Sequence, residues 1–174
     1  MTTHVVVMGV SGSGKTTVAE GVVERTGWVF AEADAFHPQA NIDTMASGTP
    51  LTDEDRWPWL RDLGAWMAEH GAKGEDTVIT CSALKRVYRD VLREEVTALP
   101  GEHRVVFAHL DGSAEVIAAR LKGRRGHFMP ASLLQSQIDT LEELDPDEDG
   151  VVLDLTAPPA GLIARALEAV REGP

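Results

Sequence analysis

The sequence predicts a doubly wound α/β fold in which helices cover both faces of a five-stranded parallel sheet. Short runs of continuously apolar residues alternate along the chain with segments of helical periodicity. Strands that are apolar on both faces are typical of parallel sheets buried between helices. The chain has 174 residues, enough for one such domain, and it contains no internal repeat or Pro/Gly-rich linker. We therefore expect residues 1–174 to form a single domain.

The five predicted strands are rich in β-branched residues, and each is followed by a glycine, a polar residue or an acid. They cover His4–Met8, Trp28–Ala31, Thr77–Cys81, Arg104–Leu110 and Val151–Leu155. Ligands of parallel α/β sheets bind beyond the carboxyl ends of the strands. The residues that follow the strands are therefore the first candidates for a functional site.

Each predicted strand is followed by at least one segment with helix signals. Val18 and Val22 lie on one stripe of the first helix, and Pro38 suits the first turn of the second. Thr52 and Asp55 form a capping-box pattern at the start of the third. The predicted helices cover Thr16–Arg25, Pro38–Ala46, Thr52–Glu69, Leu84–Val96, Ser113–Lys122, Ala131–Leu144 and Pro159–Arg171.

Charge is distributed unevenly along the chain. The 16 Lys and Arg residues against 28 Asp and Glu give a net charge of −12, which argues against binding to nucleic acid or to an anionic membrane. Residues 85–125 hold nine bases and six acids, and residues 139–154 hold eight acids and no base. We expect the acidic run Asp145–Asp149 to be a solvated loop, and the basic middle of the chain to provide local positive potential for an anionic small molecule.

Cysteine content and apolar segments indicate the compartment. Cys81 is the one cysteine, which excludes an intrachain disulfide framework and a multi-cysteine zinc site. The N-terminus lacks the pattern of a signal peptide, and the apolar runs are far shorter than the ~20 residues of a spanning helix. We expect a cytoplasmic protein that does not bind membranes.

The first predicted strand is followed by Gly9-Val10-Ser11-Gly12-Ser13-Gly14-Lys15-Thr16, which matches G-x-x-x-x-G-K-[ST] at every fixed position. Glycines in such a loop let consecutive N–H groups point at an anion, and the N-terminus of the following helix adds partial positive charge. Lys15 can reach the β- and γ-phosphates, and the Thr16 hydroxyl can ligate magnesium. We predict a P-loop that binds ATP and Mg²⁺ through these eight residues.

Other P-loop classes lack their defining motifs here. A GTPase needs Asn/Thr-Lys-x-Asp to recognise guanine, and the sequence has none. A motor-like ATPase carries a second acidic motif after a central strand, where this chain has Ser82-Ala83. A small-molecule kinase is the class that remains.

Further blocks carry a family resemblance over Val5 to about Leu155. They are Asp34-Ala35-Phe36-His37-Pro38, Asp55-Arg56, Pro58-Trp59-Leu60, Cys81 to Asp90, Gly126-His127-Phe128-Met129-Pro130, Leu133-Leu134, Ser136-Gln137 and Leu141-Glu142. The chain resembles the small P-loop gluconokinases, which phosphorylate D-gluconate at its 6-hydroxyl with ATP. The resemblance implies a nucleoside-monophosphate-kinase-like fold with a mobile lid, and commonly a homodimer. Where family members often have Asp-Gly-Asp or Asp-Ala-Asp, this chain has Glu32-Ala33-Asp34.

The acidic end of the second strand is the candidate acceptor site. Asp34 can take the proton of the attacking hydroxyl and orient it in line with the γ-phosphate. Glu32 can hold magnesium through water. An ordinary capping or loop role is the alternative for both acids, and His37 either binds a polyol or fixes the turn before Pro38.

Three basic residues are candidates for the carboxylate of the substrate. Arg56 offers a planar guanidinium that matches a carboxylate, and the resemblance favours it over a surface salt bridge. Lys85 and Arg89 share a helix face at i, i+4, which either receives the anionic end of the substrate or is a solvated basic stripe. Ser82, at a strand end, can bind a hydroxyl of a polyol.

Glycines and arginines after the fifth predicted helix resemble the lid of small nucleotide kinases. We expect a lid over about residues 121–131, whose closure brings guanidinium groups onto the phosphates. Arg120 and Arg124 are the candidate ATP ligands, Arg124 with a catalytic role and Arg120 alternatively stacked on adenine. His127 then anchors the lid or contacts the substrate. By analogy with related kinases, adenine lies near the loop Thr156–Pro159.

Two other functions stay open. A kinase for another small hydroxy acid, shikimate above all, would share the P-loop and the acid after the second strand. The blocks Cys81 to Asp90 and Gly126 to Pro130 favour gluconate. A non-catalytic module that senses nucleotide would bind ATP without transferring phosphate.

Overall fold

The computed structural model describes residues 1–123 and 131–173, and it contains five strands and seven α-helices in these ranges. The strands are β1 (Thr2–Met8), β2 (Val29–Glu32), β3 (Thr77–Thr80), β4 (His103–Asp111) and β5 (Gly150–Asp154). The helices are α1 (Lys15–Thr26), α2 (Gln39–Ala46), α3 (Asp53–Ala72), α4 (Arg86–Thr97), α5 (Ala114–Lys122), α6 (Ala131–Thr140) and α7 (Pro159–Glu172). A short 3₁₀ helix, Ala33–Phe36, follows β2 and was not expected from the sequence. In these ranges the structure has no helix with the length and apolarity that crossing a membrane requires.

The five strands form one parallel sheet in the order β2-β3-β1-β4-β5. This confirms the predicted doubly wound α/β fold. The central strand β1 is buried along its whole length, as expected of a strand covered by helices on both faces. Register pairs Glu32 of β2 with Thr80 of β3, and Val7 of β1 with the same Thr80. The segments after β1, β2 and β3 therefore leave the sheet at one edge.

Helix α3 begins as the sequence predicts and holds the segment after β2. The Thr52 side chain accepts from the Asp55 N–H at 3.2 Å, and the Asp55 carboxylate accepts from the Thr52 N–H at 2.9 Å, which completes a capping box. One turn further on, Trp59 is buried and its indole N–H donates to the carbonyl of Ala33 at 2.8 Å. This bond fixes the 3₁₀ helix, and with it Asp34, against α3.

The loop between β3 and α4 differs from the expected helix start at Leu84. Ala83 has a φ of 47°, and it is the one non-glycine residue with positive φ in the described ranges. A left-handed residue is incompatible with an α-helix, so α4 begins later, at Arg86. The Gly9 N–H donates to the carbonyl of Ser82 at 3.3 Å, which ties this strained loop to the P-loop.

The acidic run pairs with arginines of α4 and β4. The expectation of a solvated loop is confirmed for Asp145 and Asp147, which are exposed, and is wrong for Glu148, whose side chain is fully buried. Arg86 donates to Asp145 and Asp147 at 3.0 and 2.9 Å. Arg104 donates to Asp149 at 2.9 Å. The run is rich in charge because it pairs with arginines about 45 to 61 positions away in sequence. Charge counts over separate stretches of sequence cannot reveal such pairing. These arginines of the basic middle region are therefore neutralised rather than left to attract an anion.

Candidate active site

The loop between β1 and α1 has the backbone shape that its glycines allow. Gly12 and Gly14 have φ of 84° and 97°, and Gly14 caps the N-terminus of α1. A Cβ atom added to Gly12 would lie 2.7 Å from Cγ of Leu121. Side chains at these positions would be strained by the backbone and, at Gly12, by contact with α5. Lys15 reaches back across the loop, and its Nζ donates to the carbonyls of Gly9 and Val10 at 2.9 and 3.2 Å.

A cavity of about 650 Å³ opens at the carboxyl ends of β1, β2 and β3. Its volume is in the usual range for small-molecule sites. Polar residues that line it include Ser11, Lys15, Thr16, Glu32, Asp34, His37, Arg56, Ser82, Ser136 and Gln137. The structure thus brings together the P-loop, the acids after β2 and one of the three predicted carboxylate ligands.

Glu32, the last residue of β2, lies beside the start of α1. The Thr16 hydroxyl donates to the Glu32 carboxylate at 3.1 Å. Asp34 is exposed and lies in the 3₁₀ helix that Trp59 holds. These oxygens are hard ligands of the kind that Mg²⁺ prefers. In residues 1–123 and 131–173, no three His, Cys, Asp or Glu side chains cluster as a metal-binding group of their own.

His37 has a fixed orientation next to Asp34. Its ring stacks on Trp59 with the centroids 4.0 Å apart and the planes at 15°. Asn41, which is 5% exposed, approaches His37 Nδ1 at 3.3 Å and also donates to the carbonyl of Asp55. Burial lowers the pKa of His37 below its ordinary value, against the opposing charge of Asp34. The ring is therefore uncharged at neutral pH and able to donate one hydrogen bond and accept another.

Arg56 lines the cavity, and its guanidinium has hydrogen-bond donors that the described residues do not use. One Nη donates to the carbonyl of Leu51 at 3.3 Å, while Nε is buried and has no hydrogen-bond partner within the described ranges. The guanidinium carbon lies 5.1 Å from the centroid of the Tyr88 ring, which is a cation–π contact. A buried, unsatisfied donor of a cation is costly, so an anion that completed it would be bound favourably.

Lys85 forms an ion pair with an acid. Its Nζ donates to Asp53 at 3.2 Å, and the Tyr88 hydroxyl donates to the same carboxylate. The bond from Tyr88, together with that from Lys85, lowers the pKa of Asp53. Lys85 is not among the residues that line the cavity. Its contacts support Tyr88, against which Arg56 packs.

Arg89 does not reach the cavity, contrary to the expectation that it binds substrate. Its side chain and that of Glu148 are fully buried, and they pair at 2.7 Å. Its remaining donors bond the carbonyls of Ala83, Glu142 and Glu143 at 2.8, 3.1 and 3.2 Å. Lys85 and Arg89 were expected to form a basic helix face that meets the substrate or the solvent. At Arg89 this face is covered by residues 142–148. Arg89 instead supports the strained loop at Ala83 and the end of α6.

A smaller cavity of about 90 Å³ lies on the other side of the P-loop. It is lined by Ser13, Gly14, Thr17, Val18, Arg120, Leu155, Ala157, Pro159 and Leu162. Arg120 donates to the carbonyl of Ser13 at 3.4 Å and to that of Leu155. The predicted adenine neighbours, Arg120 and the loop after β5, are thus brought together beside the P-loop.

Two predicted residues fall outside the described ranges. Arg124 and His127 belong to residues 124–130, so their roles, and the lid over about residues 121–131, stay predictions.

Gln137 lines the cavity, and no role was predicted for it from the sequence. Its Oε1 accepts from the backbone N–H of Ser11 at 2.8 Å, and its Nε2 donates to the Ser11 hydroxyl at 3.2 Å. The two residues are 126 positions apart, and no local pattern relates them. The block Ser136-Gln137 in the family resemblance was the one available signal.

Comparisons with known proteins find gluconokinases among the relatives of this chain. A family model described as an AAA domain matches residues 5–144. The gluconokinase of Gluconobacter oxydans is 54% identical over 143 residues, which cover 82% of this chain and 77% of that protein. A crystal structure of a gluconokinase from Sinorhizobium meliloti is 48% identical with a TM-score of 0.82, covering 97% of this chain and 91% of that one. The unliganded structure of a sugar kinase from a Janibacter species is 64% identical with a TM-score of 0.91, covering 98% of this chain and 95% of that one.

Proposed function

Because the chain belongs to the gluconokinase family, we propose that it transfers the γ-phosphoryl group of ATP to the 6-hydroxyl of D-gluconate, giving 6-phospho-D-gluconate and ADP. The observation that carries this proposal is that one cavity is lined by the P-loop, the carboxylate of Asp34 and the guanidinium of Arg56. Phosphoryl transfer to an acid needs a phosphate cradle, a group that orients the acceptor hydroxyl and a cation for the acid.

The nucleotide lies across the P-loop, with its base in the smaller cavity and its phosphates along Gly9 to Thr16. Arg120 supports this orientation because one N–H of each Nη donates to the carbonyls of Ser13 and Leu155, which fixes the guanidinium plane and lets its face cover adenine. Lys15 turns from the carbonyls of Gly9 and Val10 toward the β- and γ-phosphates.

Mg²⁺ is proposed to bind at Thr16 and Glu32. The hydroxyl and the carboxylate lie 3.1 Å apart at the edge of the cavity, and both fit the oxygen preference of the ion. Mg²⁺ usually takes few protein ligands and completes its shell with phosphate oxygens and water. When bound, it would neutralise charge on the phosphates.

Asp34 is proposed as the general base. The proton of the 6-hydroxyl passes to the Asp34 carboxylate as the oxygen attacks the γ-phosphorus. The bond between that phosphorus and the bridging oxygen breaks, and ADP leaves. The anchoring bond from Trp59 to Ala33, at 2.8 Å, keeps the carboxylate at the cavity wall and so limits the entropy lost on orienting the hydroxyl.

Arg56 is proposed to bind the carboxylate of gluconate. The unsatisfied Nε and the contact with Tyr88 support this role, because an oriented fork of donors matches a carboxylate better than a mobile ammonium does. Ser82 and the uncharged His37 are proposed to bind the hydroxyl groups between the two ends of the substrate. We propose no substrate contact for Arg89.

The experiment that tests this function is coupled detection of ADP with a panel of acceptors. Gluconate is expected to support turnover, and shikimate is not. Turnover with shikimate and none with gluconate would favour the other acid kinase. Tight ATP binding without transfer to any acid would favour the nucleotide-sensing module.

Location and assembly are proposed from the family alone. We propose a cytoplasmic homodimer. We propose no subunit contact through Trp66, because its ring packs against Phe36 and His70 of its own chain with centroids 6.1 and 4.5 Å apart. Light scattering on the purified protein distinguishes a dimer from a monomer.

A further inference from the structure

The Gln137 side chain occupies a backbone donor of the P-loop. Oε1 accepts the N–H of Ser11 at 2.8 Å while Nε2 donates to the hydroxyl of the same residue at 3.2 Å. The two contacts fix the orientation of the amide, because the reversed amide would point an N–H group at the Ser11 N–H. A neutral oxygen therefore lies where an anion bound by the P-loop would place one of its own.

Ser11 lies at the acceptor end of the loop. It lines the larger cavity together with Asp34, whereas Ser13 lines the smaller cavity on the opposite side. Under the proposed function the base binds beside Ser13 and the transferred phosphoryl group faces Asp34. The donor that Gln137 occupies then faces the terminal phosphate of ATP, a position where ADP has no atoms.

The helix that carries Gln137 is held in place at its carboxyl end. The N–H of Glu142 donates to the carbonyl of Leu84 at 2.7 Å, and its carboxylate accepts from the N–H of Arg86 at 3.0 Å. Arg89 adds a bond to the carbonyl of Glu142 at 3.1 Å. Because the segment after α6 is anchored to α4, we expect a contact between Gln137 and a nucleotide to involve a change in the side chain rather than a shift of the helix.

We propose that Gln137 is a ligand of the terminal phosphoryl group and makes the site distinguish ATP from ADP. An oxygen of the terminal phosphate takes the Ser11 N–H, and the amide turns to donate its own N–H to that phosphate. Hydrogen bonds to a charged oxygen are roughly twice as strong as those between neutral groups. The exchange therefore favours the triphosphate although a neutral contact is lost. The inference rests on the proposed function, which sets the direction of the nucleotide.

The test compares the affinities of the purified protein for ADP and for an ATP analogue with an imido group between the β- and γ-phosphorus, by titration calorimetry with Mg²⁺. Gln137→Met keeps the length of the side chain and removes the amide. We expect it to weaken the analogue by about tenfold and ADP by less than about twofold. Gln137→Glu should weaken the analogue further, because its carboxylate can keep the contact with Ser11 but repels the phosphate.

A control on the same helix separates this effect from a change in α6. Gln135 is exposed and its side chain donates to Asp139 at 2.7 Å, so Gln135→Ala should change neither affinity. Equal weakening of ADP and the analogue by the Gln137 variants would assign a structural role to Gln137 and overturn the proposal. Tighter binding of the analogue by Gln137→Met would also overturn it, since the amide would then only compete with phosphate.

Failure of the proposed function and failure of the proposed role of Gln137 give different experimental results. If the wild-type protein binds neither nucleotide, the proposed function fails. If it binds both and phosphorylates gluconate, but the Gln137 variants keep the ratio of the two affinities, the role of Gln137 alone fails.

Discussion

Arg89 and Glu148 form an ion pair whose side chains are both fully buried, with Nε and Oε1 2.7 Å apart. Burial alone would raise the pKa of Glu148, but hydrogen bonds from Arg89, the Asp145 N–H and Arg93 lower it. The pair fastens the segment after α6 to α4. Arg89 thus joins the loop at Ala83 to the segment after α6.

Removing one partner of this pair should destabilise the fold. Arg89→Met leaves the Glu148 carboxylate buried without its main partner, which is expected to lower the free energy of unfolding by about 3–5 kcal/mol. Urea denaturation measures the change. Arg89→Met combined with Glu148→Leu should be less destabilised than Arg89→Met alone. A loss below about 1 kcal/mol together with a raised KM for gluconate would instead return Arg89 to the list of substrate ligands.

Arg56→Met should weaken gluconate binding with little effect on ATP. Loss of the guanidinium removes a charge-assisted contact, so we expect KM for gluconate to rise by about tenfold or more. Arg56→Lys keeps the positive charge but lacks the planar fork of donors, so its KM for gluconate should lie between those of the wild type and Arg56→Met. Steady-state kinetics measure both effects. Arg61→Met, an exposed arginine on the same helix, is the matched control, and an unchanged KM for Arg56→Met would remove this residue from the site.

Lys15→Ala and Asp34→Ala should both lower kcat by orders of magnitude, for different reasons. Lys15 is proposed to stabilise charge on the transferring phosphate, whereas Asp34 is proposed to accept a proton, a role usually worth about 10²- to 10⁴-fold. Asp34→Ala should leave ATP affinity nearly intact because the carboxylate acts on the acceptor. Single-turnover kinetics and nucleotide titration measure the two effects. Asp43→Ala, at an exposed acid on α2, serves as control, and wild-type activity of Asp34→Ala would exclude it as the base.

His4 should make stability depend on pH. It is fully buried in β1 and bonded to the hydroxyls of Thr77 and Thr2 at 2.7 and 2.9 Å. Burial lowers the pKa of His4 to about 4 from an ordinary value of 6.5. The unfolded chain therefore binds a proton first as the pH falls, so stability is present above pH 6.5 and is lost toward pH 4.

The contribution of His4 is measured as a difference between two proteins. Between about pH 7.5 and about pH 5, the free energy of unfolding should fall by about 2 kcal/mol more in the wild type than in His4→Gln. Urea denaturation at the two pH values gives the comparison. An equal fall in both proteins would show that His4 is protonated as readily in the fold as in the unfolded chain.

The sequence predicted the features that depend on local pattern. The P-loop from Gly9 to Thr16 is a local motif, and the acid at Asp34 follows a strand whose end lies at the ligand-binding edge. The strands and α-helices were found within a few residues of their expected bounds. The short 3₁₀ helix was missed because four residues carry too weak a periodic signal.

The features that were wrong or missed depend on contacts between distant segments. Arg89 and Glu148 are 59 positions apart, and Ser11 and Gln137 are 126 apart. Whether a basic helix face meets solvent or an acidic segment is decided by packing, so the helical spacing of Lys85 and Arg89 could not distinguish a substrate ligand from a buried ion pair. Only their tertiary neighbours separate the two roles.

The central claim is that Asp34 and the P-loop direct phosphoryl transfer to the 6-hydroxyl of gluconate. The most direct test is proton–phosphorus NMR of the product formed from ATP, Mg²⁺ and D-gluconate, with Asp34→Ala in parallel. We expect one phosphate ester whose phosphorus couples to the two protons of C6, formed by the wild type and nearly absent with Asp34→Ala. A phosphorus coupled to a single methine proton, or ADP formed with no ester, would contradict the claim.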